Sequence, residues 1–226
     1  MTSATCPLPS SLATIARTLG LLVLCLCVGA PPLRAQAPVQ RADTALDRFL
    51  DGLVSWQTEF AQSTTDSRGR AREPQRGRLI VQRPGRFRWE VAMPQQIMVN
   101  DGRNLWFHDV DLEQVTVRRA DEALSASPAM LLAGSVPLRS AFKVVAAGRR
   151  EGLEWVRATP LRADAEFREA RFGFVGAELR RLEIDDKLGQ RTVLMFSASL
   201  RNVPVEAAEL RFVPPPGADV IGTPVP

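Results

Sequence analysis

The feature that most constrains this chain is a series of short stretches in which apolar and polar side chains alternate. In QRPGRFRWEV, residues 82–91, three large apolar residues (Phe87, Trp89 and Val91) alternate with charged ones. Successive side chains of a strand point to opposite faces, so this stretch predicts a strand with one apolar face. Interleaved basic and aromatic residues also occur on nucleic-acid platforms. The rest of the sequence must show whether the apolar face meets bases, a packed core or an apolar cavity.

Similar stretches recur from about residue 55 to about residue 213, and turn signals such as Pro84-Gly85 and Asp101-Gly102 separate them. They predict a mainly β, antiparallel sheet of about ten or eleven strands in a single domain. A sheet of that size curls, so its concave face is filled, covered or left as a pocket. The proline-rich tail, residues 214–226, is predicted to be irregular.

Two segments break the alternation and predict helices. The first follows Asp43, the expected N-cap, and has apolar residues at helical spacing: Leu46, Phe49, Leu50 and Leu53. The second is residues 121–136, in which Ser127-Pro128 fits the start of a helix. The domain is therefore expected to combine a large sheet with few helices.

The first 37 residues have the layout of a secretory signal peptide. They contain no Asp or Glu, and a basic residue, Arg17, precedes an apolar run at residues 19–30. Ala35-Gln36-Ala37 then fits a signal-peptidase site, so cleavage is predicted near residues 35–37. Residues 38–226 are the predicted mature chain, a single domain. An uncleaved membrane anchor is the alternative, although the apolar run is short for a membrane span.

All three cysteines, Cys6, Cys25 and Cys27, lie within the predicted signal peptide. The mature chain then has no thiol for a disulfide, a metal site or a nucleophile. Leucine precedes both Cys25 and Cys27, whereas a lipid-modified N-terminus needs a small residue there, so a lipoprotein is not expected. Loss of Arg17 and Arg34 lowers the net charge from +4 to +2, which is too small to indicate a nucleic-acid partner.

The mature chain offers little catalytic equipment. Its one histidine, His108, has no nucleophile motif to serve and is expected to be an exposed bystander on a hairpin strand. The acidic pairs Asp109/Asp111 and Asp185/Asp186 are expected to be solvated, and the His and Cys ligands of a zinc site are missing. We therefore predict no enzyme, no metal and no other cofactor.

Four segments of the sequence are distinctive in their order and spacing. They are RPGRFRWEV, MPQQIMVNDGRNLWFHDVDLEQVTV, SPAMLL and LRFVPPPGADV. Together they resemble the LolA family, the periplasmic carriers of outer-membrane lipoproteins. The resemblance extends from about residue 43 to about residue 221 and so includes nearly all of the predicted mature chain.

The resemblance implies an incomplete antiparallel β-barrel that a lid of short helices closes over an apolar cavity. It also implies a periplasmic carrier, in a Gram-negative bacterium, that binds the acyl chains of lipoproteins. Such a carrier receives lipoproteins from the inner-membrane ABC transporter LolCDE and delivers them to the outer-membrane receptor LolB. The carrier is expected to be a monomer, with no nucleic acid among its partners.

The resemblance also assigns individual residues. Arg83 matches the arginine that hydrogen-bonds to the lid and holds the empty carrier closed. The acyl cavity is expected to be lined by Phe87, Trp89, Val91, Leu50, Met130, Leu131 and Leu132. Taken without the resemblance, the apolar residues also fit a closed core, and Arg83 also fits a solvated turn before Pro84.

Three other functions are alternatives to a lipoprotein carrier. A LolA-like carrier of another lipid has the same sequence features. A lipoprotein receptor or sensor of the same fold is less suitable, because the receptor begins with an acylated cysteine and the sensor continues into a second domain. A periplasmic hydrolase is the most distant alternative, since it needs a catalytic carboxylate or His108.

Overall fold

The alternating stretches form twelve strands of one sheet in a computed structural model of the chain. The structure describes residues 43–121, 128–134, 137–163, 165 and 167–226. The predicted signal peptide, residues 1–37, and the predicted helix start at Ser127 lie outside the described residues. The strands are β1 (Ser55–Thr65), β2 (Gln75–Gln82), β3 (Arg86–Val91), β4 (Gln96–Asn100), β5 (Asn104–Asp109), β6 (Gln114–Arg119), β7 (Phe142–Arg150), β8 (Leu153–Pro160), β9 (Phe167–Val175), β10 (Glu178–Asp186), β11 (Arg191–Arg201) and β12 (Asp219–Ile221).

The order of the strands across the sheet is β12-β6-β5-β4-β3-β2-β1-β11-β10-β9-β8-β7. Neighbouring strands are antiparallel except β12 and β6, which are parallel. Because β12 and β7 lie at opposite edges, the sheet does not close into a barrel. The predicted incomplete β-barrel is confirmed, with twelve strands where ten or eleven were expected.

The helices are short. They are α1 (Ala45–Leu50), α2 (Pro128–Ala133), α3 (Leu138–Ala141) and a 3-10 helix (Ala207–Leu210). Within the described part of the chain, no helix combines the length and the apolar character that a membrane span requires. Helices this short are marginal in isolation, so packing against the sheet must hold them in place.

α1 begins after Thr44, which corrects the prediction that Asp43 is the N-cap. The Asp47 amide donates to Thr44 Oγ1 at 3.3 Å, and the Thr44 amide donates to the Asp47 carboxylate at 2.9 Å. This reciprocal capping box satisfies two amides that the first turn leaves without a partner. The helix also ends at Leu50, earlier than predicted, and Gly52 follows it with a left-handed φ of +61°.

The C-terminal segment covers part of the sheet, and the predicted irregular tail is irregular apart from the short strand β12 (Asp219–Ile221). Phe212 and Ala218 pack against an apolar cluster formed by Val99, Trp106, Val115 and Val117. The Asn104 side-chain amide donates to the Val225 carbonyl at 2.9 Å, and the Val225 amide donates back to Asn104 Oδ1 at 2.7 Å. Alternation did not predict this covered surface, because residues 97–99 are all apolar and the pattern does not show that both faces of this strand are buried.

Candidate functional site

The candidate site is the inner face of the sheet, which we define as the face that carries Trp56, Val81 and Phe87. Val81 lies opposite both Trp56 and Phe87 in the antiparallel ladders, so the three side chains point the same way. The same register continues across the sheet and makes this face rich in large apolar residues. Its buried side chains include Trp56, Phe60, Leu79, Phe172, Leu182 and Phe196.

α1 and α2 cover the inner face at the end of the sheet where β2 meets β3. The Phe49 ring of α1 lies 5.4 Å from the ring of Trp56 and 5.8 Å from that of Phe174, measured between centroids. Aromatic pairs of this kind contribute about 0.5–1.5 kcal/mol beyond their buried area. From α2, Met130 and Leu132 are buried in the same cluster. This part of the inner face is therefore a packed core formed jointly by helices and sheet.

Beyond the helices, the inner face borders a cavity of about 360 Å³. Its apolar wall includes Trp89, Val91, Met98, Phe107, Phe167 and Leu194. Trp89 also packs on Phe60, with ring centroids 4.2 Å apart. Pockets for small ligands measure roughly 300–1,000 Å³, so this cavity has room for one small apolar group. This volume does not enclose a larger ligand.

Arg83 joins the sheet to α1. Its Nη1 donates a hydrogen bond to the Leu50 carbonyl, the last residue of that helix, at 3.1 Å. Burial lowers the pKa of the Arg83 guanidinium, but an arginine keeps its charge at neutral pH. A charged donor to a carbonyl at a helix C-terminus is favourable because the helix dipole places negative charge there.

The same guanidinium lies against the residue that follows α2. A Cβ atom built on Gly134 would lie 2.4 Å from Arg83 Nη2, and Gly134 has a left-handed φ of +68°. Next to this contact, the Gly85 amide donates to the Ala133 carbonyl of α2 at 2.9 Å. Arg83 is thus bonded to α1 and in contact with the end of α2, so it is placed where both helices meet the sheet.

A second arginine, Arg201 at the end of β11, holds α1 from the other side. Its Nη1 donates to the Phe49 carbonyl at 2.7 Å and its Nη2 to the Asp51 carbonyl at 3.0 Å. Its guanidinium also lies 5.2 Å from the centre of the Phe49 ring. The neighbouring Asn202 side chain donates to the Gly52 carbonyl at 2.9 Å. Sequence reasoning missed this anchor, because no local pattern connects β11 to a helix 150 residues earlier.

Asp47 connects α1 to α3. Its carboxylate accepts hydrogen bonds from Arg139 at 2.6 Å and from the Thr44 hydroxyl at 2.7 Å. Partial burial by itself raises the pKa of Asp47, but the bonds from Arg139 and Thr44 outweigh it and the pKa lies below its ordinary value. The ionised carboxylate is therefore a stabilising part of the helix cover.

Replacement of Asp47 by alanine is expected to lower the free energy of unfolding by about 1 kcal/mol, because the capping box and the Arg139 bond are lost together. Since the folded-state pKa is depressed, this stabilisation is present above the ordinary aspartate pKa of about 3.9. It is lost as the pH falls through the lower folded-state value. Chemical denaturation at pH 7 and at several lower pH values measures the difference between wild type and variant.

Asp43→Ala is the matched control for Asp47→Ala, since Asp43 is exposed and, among the described residues, its one hydrogen bond is accepted by its main-chain carbonyl from Arg48. It is expected to leave the unfolding free energy within about 0.5 kcal/mol of wild type. Equal losses for the two variants, or a difference between Asp47→Ala and wild type that does not shrink toward low pH, would contradict the role of Asp47.

The structure divides the predicted cavity residues into two groups. Trp89 and Val91 line the open cavity. Phe87 and the predicted helix residues instead pack between the helices and the sheet: Leu50, Met130, Leu131 and Leu132. Their proposed contact with acyl chains stays a prediction, and for the second group it requires movement of the helices.

Five apolar residues of the cavity wall are absent from the predicted set: Met98, Phe107, Phe167, Ile184 and Leu194. Met98 lies opposite Trp89, and Phe107 lies opposite Met98, so the strand register extends the inner face to both. Alternation within each strand contained this signal. The sequence does not give the register between neighbouring strands, and this register decides which of the two sets of alternating side chains faces the cavity.

His108 is buried on the outer face, which corrects the expectation of an exposed bystander. It is 7% exposed, and its ring centroid lies 5.8 Å from that of Phe212 in the C-terminal segment. That segment covers this face of the sheet, and local alternation gave no sign of it. Among the described residues, no catalytic partner accompanies His108 here: the side chain packs beside the apolar cluster that the C-terminal segment covers.

The acidic pair Asp185/Asp186 is used inside the protein and not solvated as expected. Asp185 pairs with Arg171 at 2.6 Å and with Arg191 at 2.8 Å. Burial alone raises the pKa of Asp185, but these arginines lower it below its ordinary value. Asp186 accepts the amides of its own turn. Among the described residues, no group of three or more His, Cys, Asp or Glu side chains is arranged to hold a metal ion.

Comparison with known proteins adds an independent finding. Residues 51–213 match the family model described as Outer membrane lipoprotein carrier protein LolA. An outer-membrane lipoprotein carrier protein of Dechloromonas aromatica (strain RCB) is 41% identical over 197 residues, which cover 87% of this chain and 93% of that protein. The protein of the same name from Bordetella pertussis is 39% identical over 188 residues, covering 83% and 89% of the two chains.

Similarity to solved structures concerns the fold alone. The crystal structure of an uncharacterized conserved protein from Thermus thermophilus has a TM-score of 0.51 at 16% sequence identity. The match covers 78% of this chain and 96% of that one.

Proposed function

The chain belongs to the LolA family of outer-membrane lipoprotein carrier proteins, and from this premise we propose that it binds the acyl chains of lipoproteins on the inner face of its sheet. One observation supports this location more than any other. An aromatic-lined cavity and two short helices share the same apolar face, so the face is already partly vacant and its cover is small.

The energy of acyl chains in water explains why a carrier is needed. Each exposed CH₂ group costs about 0.8 kcal/mol, so three chains of about sixteen carbons cost roughly 35 kcal/mol. Non-covalent affinities saturate at about −18 to −21 kcal/mol, and a carrier must also release its cargo. The binding surface is therefore expected to shield the chains without fitting them tightly. Met98 in the cavity wall and Met130 under α2 suit that use, because methionine side chains adapt to different shapes.

The size of the cavity points to a lid. About 360 Å³ is at the lower end of pockets for one small ligand, so it cannot enclose several long chains. We propose that α1 and α2 move away from the sheet when cargo binds, which adds the surface around Phe87 to the cavity. In the closed form the helices bury this surface and protect the empty carrier from aggregation. Arg83 is the proposed latch, since it bonds to the last residue of α1 and contacts Gly134, the residue that follows α2.

We further propose that the protein acts in the periplasm of a Gram-negative bacterium as a non-enzymatic, monomeric carrier. It receives lipoproteins from LolCDE in the inner membrane and delivers them to LolB in the outer membrane. The support for this route is the family membership together with the signal-peptide layout of residues 1–37. The energy for loading comes from the transporter, and release is a hand-off between two proteins.

Binding of acyl chains is tested by placing a charge in the cavity wall. Met98→Lys is expected to weaken binding of a fluorescent diacyl lipopeptide at least about tenfold, because the ammonium group must lose its hydration beside the chains. Equilibrium fluorescence titration of the purified mature protein measures this affinity. Met195→Lys is the control: Met195 is 47% exposed and points away from the cavity, so its affinity is expected to equal that of wild type. Equal affinities for all three proteins would contradict the location.

The identity of the cargo is tested in the native host. Depletion of this protein is expected to leave outer-membrane lipoproteins in the inner membrane, where fractionation and mass spectrometry detect them. Correct lipoprotein sorting, together with a mislocalised lipid of another class, would instead identify a LolA-like carrier of that lipid.

A further inference from the structure

The end of the cavity that lies away from Arg83 is surrounded by uncharged polar side chains, which we call the amide collar. It consists of Gln62, Gln75, Gln96, Gln190 and Thr192. All five are half-buried, and they occupy the cavity wall together with apolar residues such as Trp89 and Phe107. The cavity is therefore apolar inside and ringed by amide groups at one end.

Strand register places the collar at the mouth of the sheet. Gln75 is the first residue of β2, Gln96 is the first residue of β4, and Gln190 immediately precedes β11. Gln62 lies opposite Gln75 in the ladder between β1 and β2. Adjacent antiparallel strands run in opposite directions. The starts of β2, β4 and β11 and the end of β1 therefore lie at the same end of the sheet. Arg83 follows the last residue of β2 and so lies at the other end.

The collar retains hydrogen-bond donors that the protein does not use. Gln62 Nε2 donates to Gln75 Oε1 at 2.9 Å, and this bond leaves the NH₂ group of the cavity-lining Gln75 unused. Gln96 Nε2 donates to Asp109 at 3.2 Å and keeps its second N–H. Among the described residues, the side-chain amide nitrogens of Gln75 and Gln190 donate no hydrogen bond to a protein acceptor. Half-buried donors of this kind gain most from a ligand that brings acceptors.

The charge of the site restricts which acceptor fits. Asp186 is the one ionisable side chain among the described residues that line the cavity, and no lysine or arginine among them lines it. An anionic ligand group would find no cation there and would be repelled by Asp186. A neutral carbonyl oxygen accepts from a neutral amide without that repulsion. An acyl chain ends, by definition, in a carbonyl group, which is neutral when it forms an ester or an amide.

We infer that the amide collar binds the ester and amide carbonyls that join the acyl chains to the N-terminus of the cargo. This inference rests on the proposed function and adds the part of the ligand that the apolar wall does not recognise. The chains enter methyl end first toward Trp89 and Phe107, the carbonyls stop at the collar, and the protein part of the cargo stays outside. The collar thereby distinguishes acylated proteins from free fatty acids, whose carboxylates are charged.

The test compares two synthetic lipopeptides with the same peptide and chain lengths. One carries its chains through esters, and the other carries them through ethers, which lack the carbonyl. Isothermal titration of the mature wild-type protein is expected to show about tenfold tighter binding of the ester lipopeptide. The double variant Gln62→Leu/Gln75→Leu is expected to lower this preference clearly below tenfold, because leucine keeps the bulk and removes two of the collar amides while Gln96 and Gln190 remain. Free palmitate is expected to bind more weakly than the ester lipopeptide.

Gln82→Leu is the matched control, since Gln82 is a half-buried glutamine of the same strand as Gln75 on the opposite face of the sheet. It is expected to keep the tenfold preference. If the double variant does not fold, Gln190→Leu provides the same comparison from the turn before β11.

The outcomes separate the collar from the proposed function. Equal binding of both lipopeptides by wild type, or a tenfold preference that is undiminished in the collar variants, would overturn the collar and leave the acyl carrier intact. Failure of wild type to bind either lipopeptide would overturn the carrier itself.

Discussion

Replacement of Arg83 by leucine is expected to raise the population of the open form by about 10- to 150-fold. The bond from its guanidinium to the Leu50 carbonyl is charge-assisted, and such bonds contribute about 1.5–3 kcal/mol. Each 1.4 kcal/mol changes a population ratio about tenfold. The variant should still fold, because Arg201 and Asn202 continue to hold the end of α1.

Two measurements report the loss of the latch. Hydrogen exchange of the α1 and α2 amides is expected to accelerate by the same factor as the open population grows, since exchange occurs from the open form. Acyl binding is expected to tighten, because less of the binding energy is used to open the helices. Transfer of bound lipoprotein to the receptor is expected to slow, since the closed form no longer favours release.

Arg86→Leu is the matched control for Arg83→Leu. It removes the same charge three residues away, on the face of β3 opposite Phe87, where its side chain packs beside Gly102. It is expected to leave exchange, binding and transfer unchanged. Arg83→Lys should fall between wild type and Arg83→Leu, because the ammonium keeps the charge but cannot span both helices as a planar guanidinium does. Equal transfer rates for Arg83→Leu and wild type would rule out the latch.

Period-2 alternation made most of this fold readable from the sequence. It identified the strands that carry Trp56, Phe87 and Trp89, and the Asp-Gly signal identified the turn between β4 and β5. It succeeded because an open antiparallel sheet buries one face of each strand, and burial of one face requires apolar and polar residues to alternate along the sequence. The assignment of Trp89 to a cavity came from the family resemblance, because alternation alone also fits a closed core.

The features that the sequence did not predict depend on contacts between segments that are distant in the chain. Arg201 bonds to α1 although 150 residues separate Arg201 from Asp51, and β12 pairs with β6 through the tail. The glutamines of the collar look like ordinary polar positions at strand ends, and only their register brings Gln62, Gln75 and Gln96 to one opening. Local patterns cannot specify such sites, because each strand contributes one residue and the neighbours are chosen by topology.

Replacement of Gly134 by alanine is expected to open the helices at least as far as Arg83→Leu. The left-handed φ of +68° costs a non-glycine residue about 1–2 kcal/mol. In addition, the new Cβ would lie 2.4 Å from Arg83 Nη2, so the guanidinium must move and lose its bond to Leu50. Together the two effects should shift the closed form by about 2–5 kcal/mol, which is measurable as faster amide exchange in α1 and α2.

Gly176→Ala separates the two effects. Gly176 has a similar φ of +59° in the turn between β9 and β10, but a Cβ there meets nothing within 4 Å. It should show the backbone cost alone, as a lower unfolding free energy without faster exchange in the helices. If Gly134 acts through Arg83, the double variant Arg83→Leu/Gly134→Ala should be much less than additive, because the guanidinium that the methyl group displaces is already gone. Additive losses, or equal exchange in the two glycine variants, would show that Gly134 and Arg83 act independently and that the latch does not span both helices.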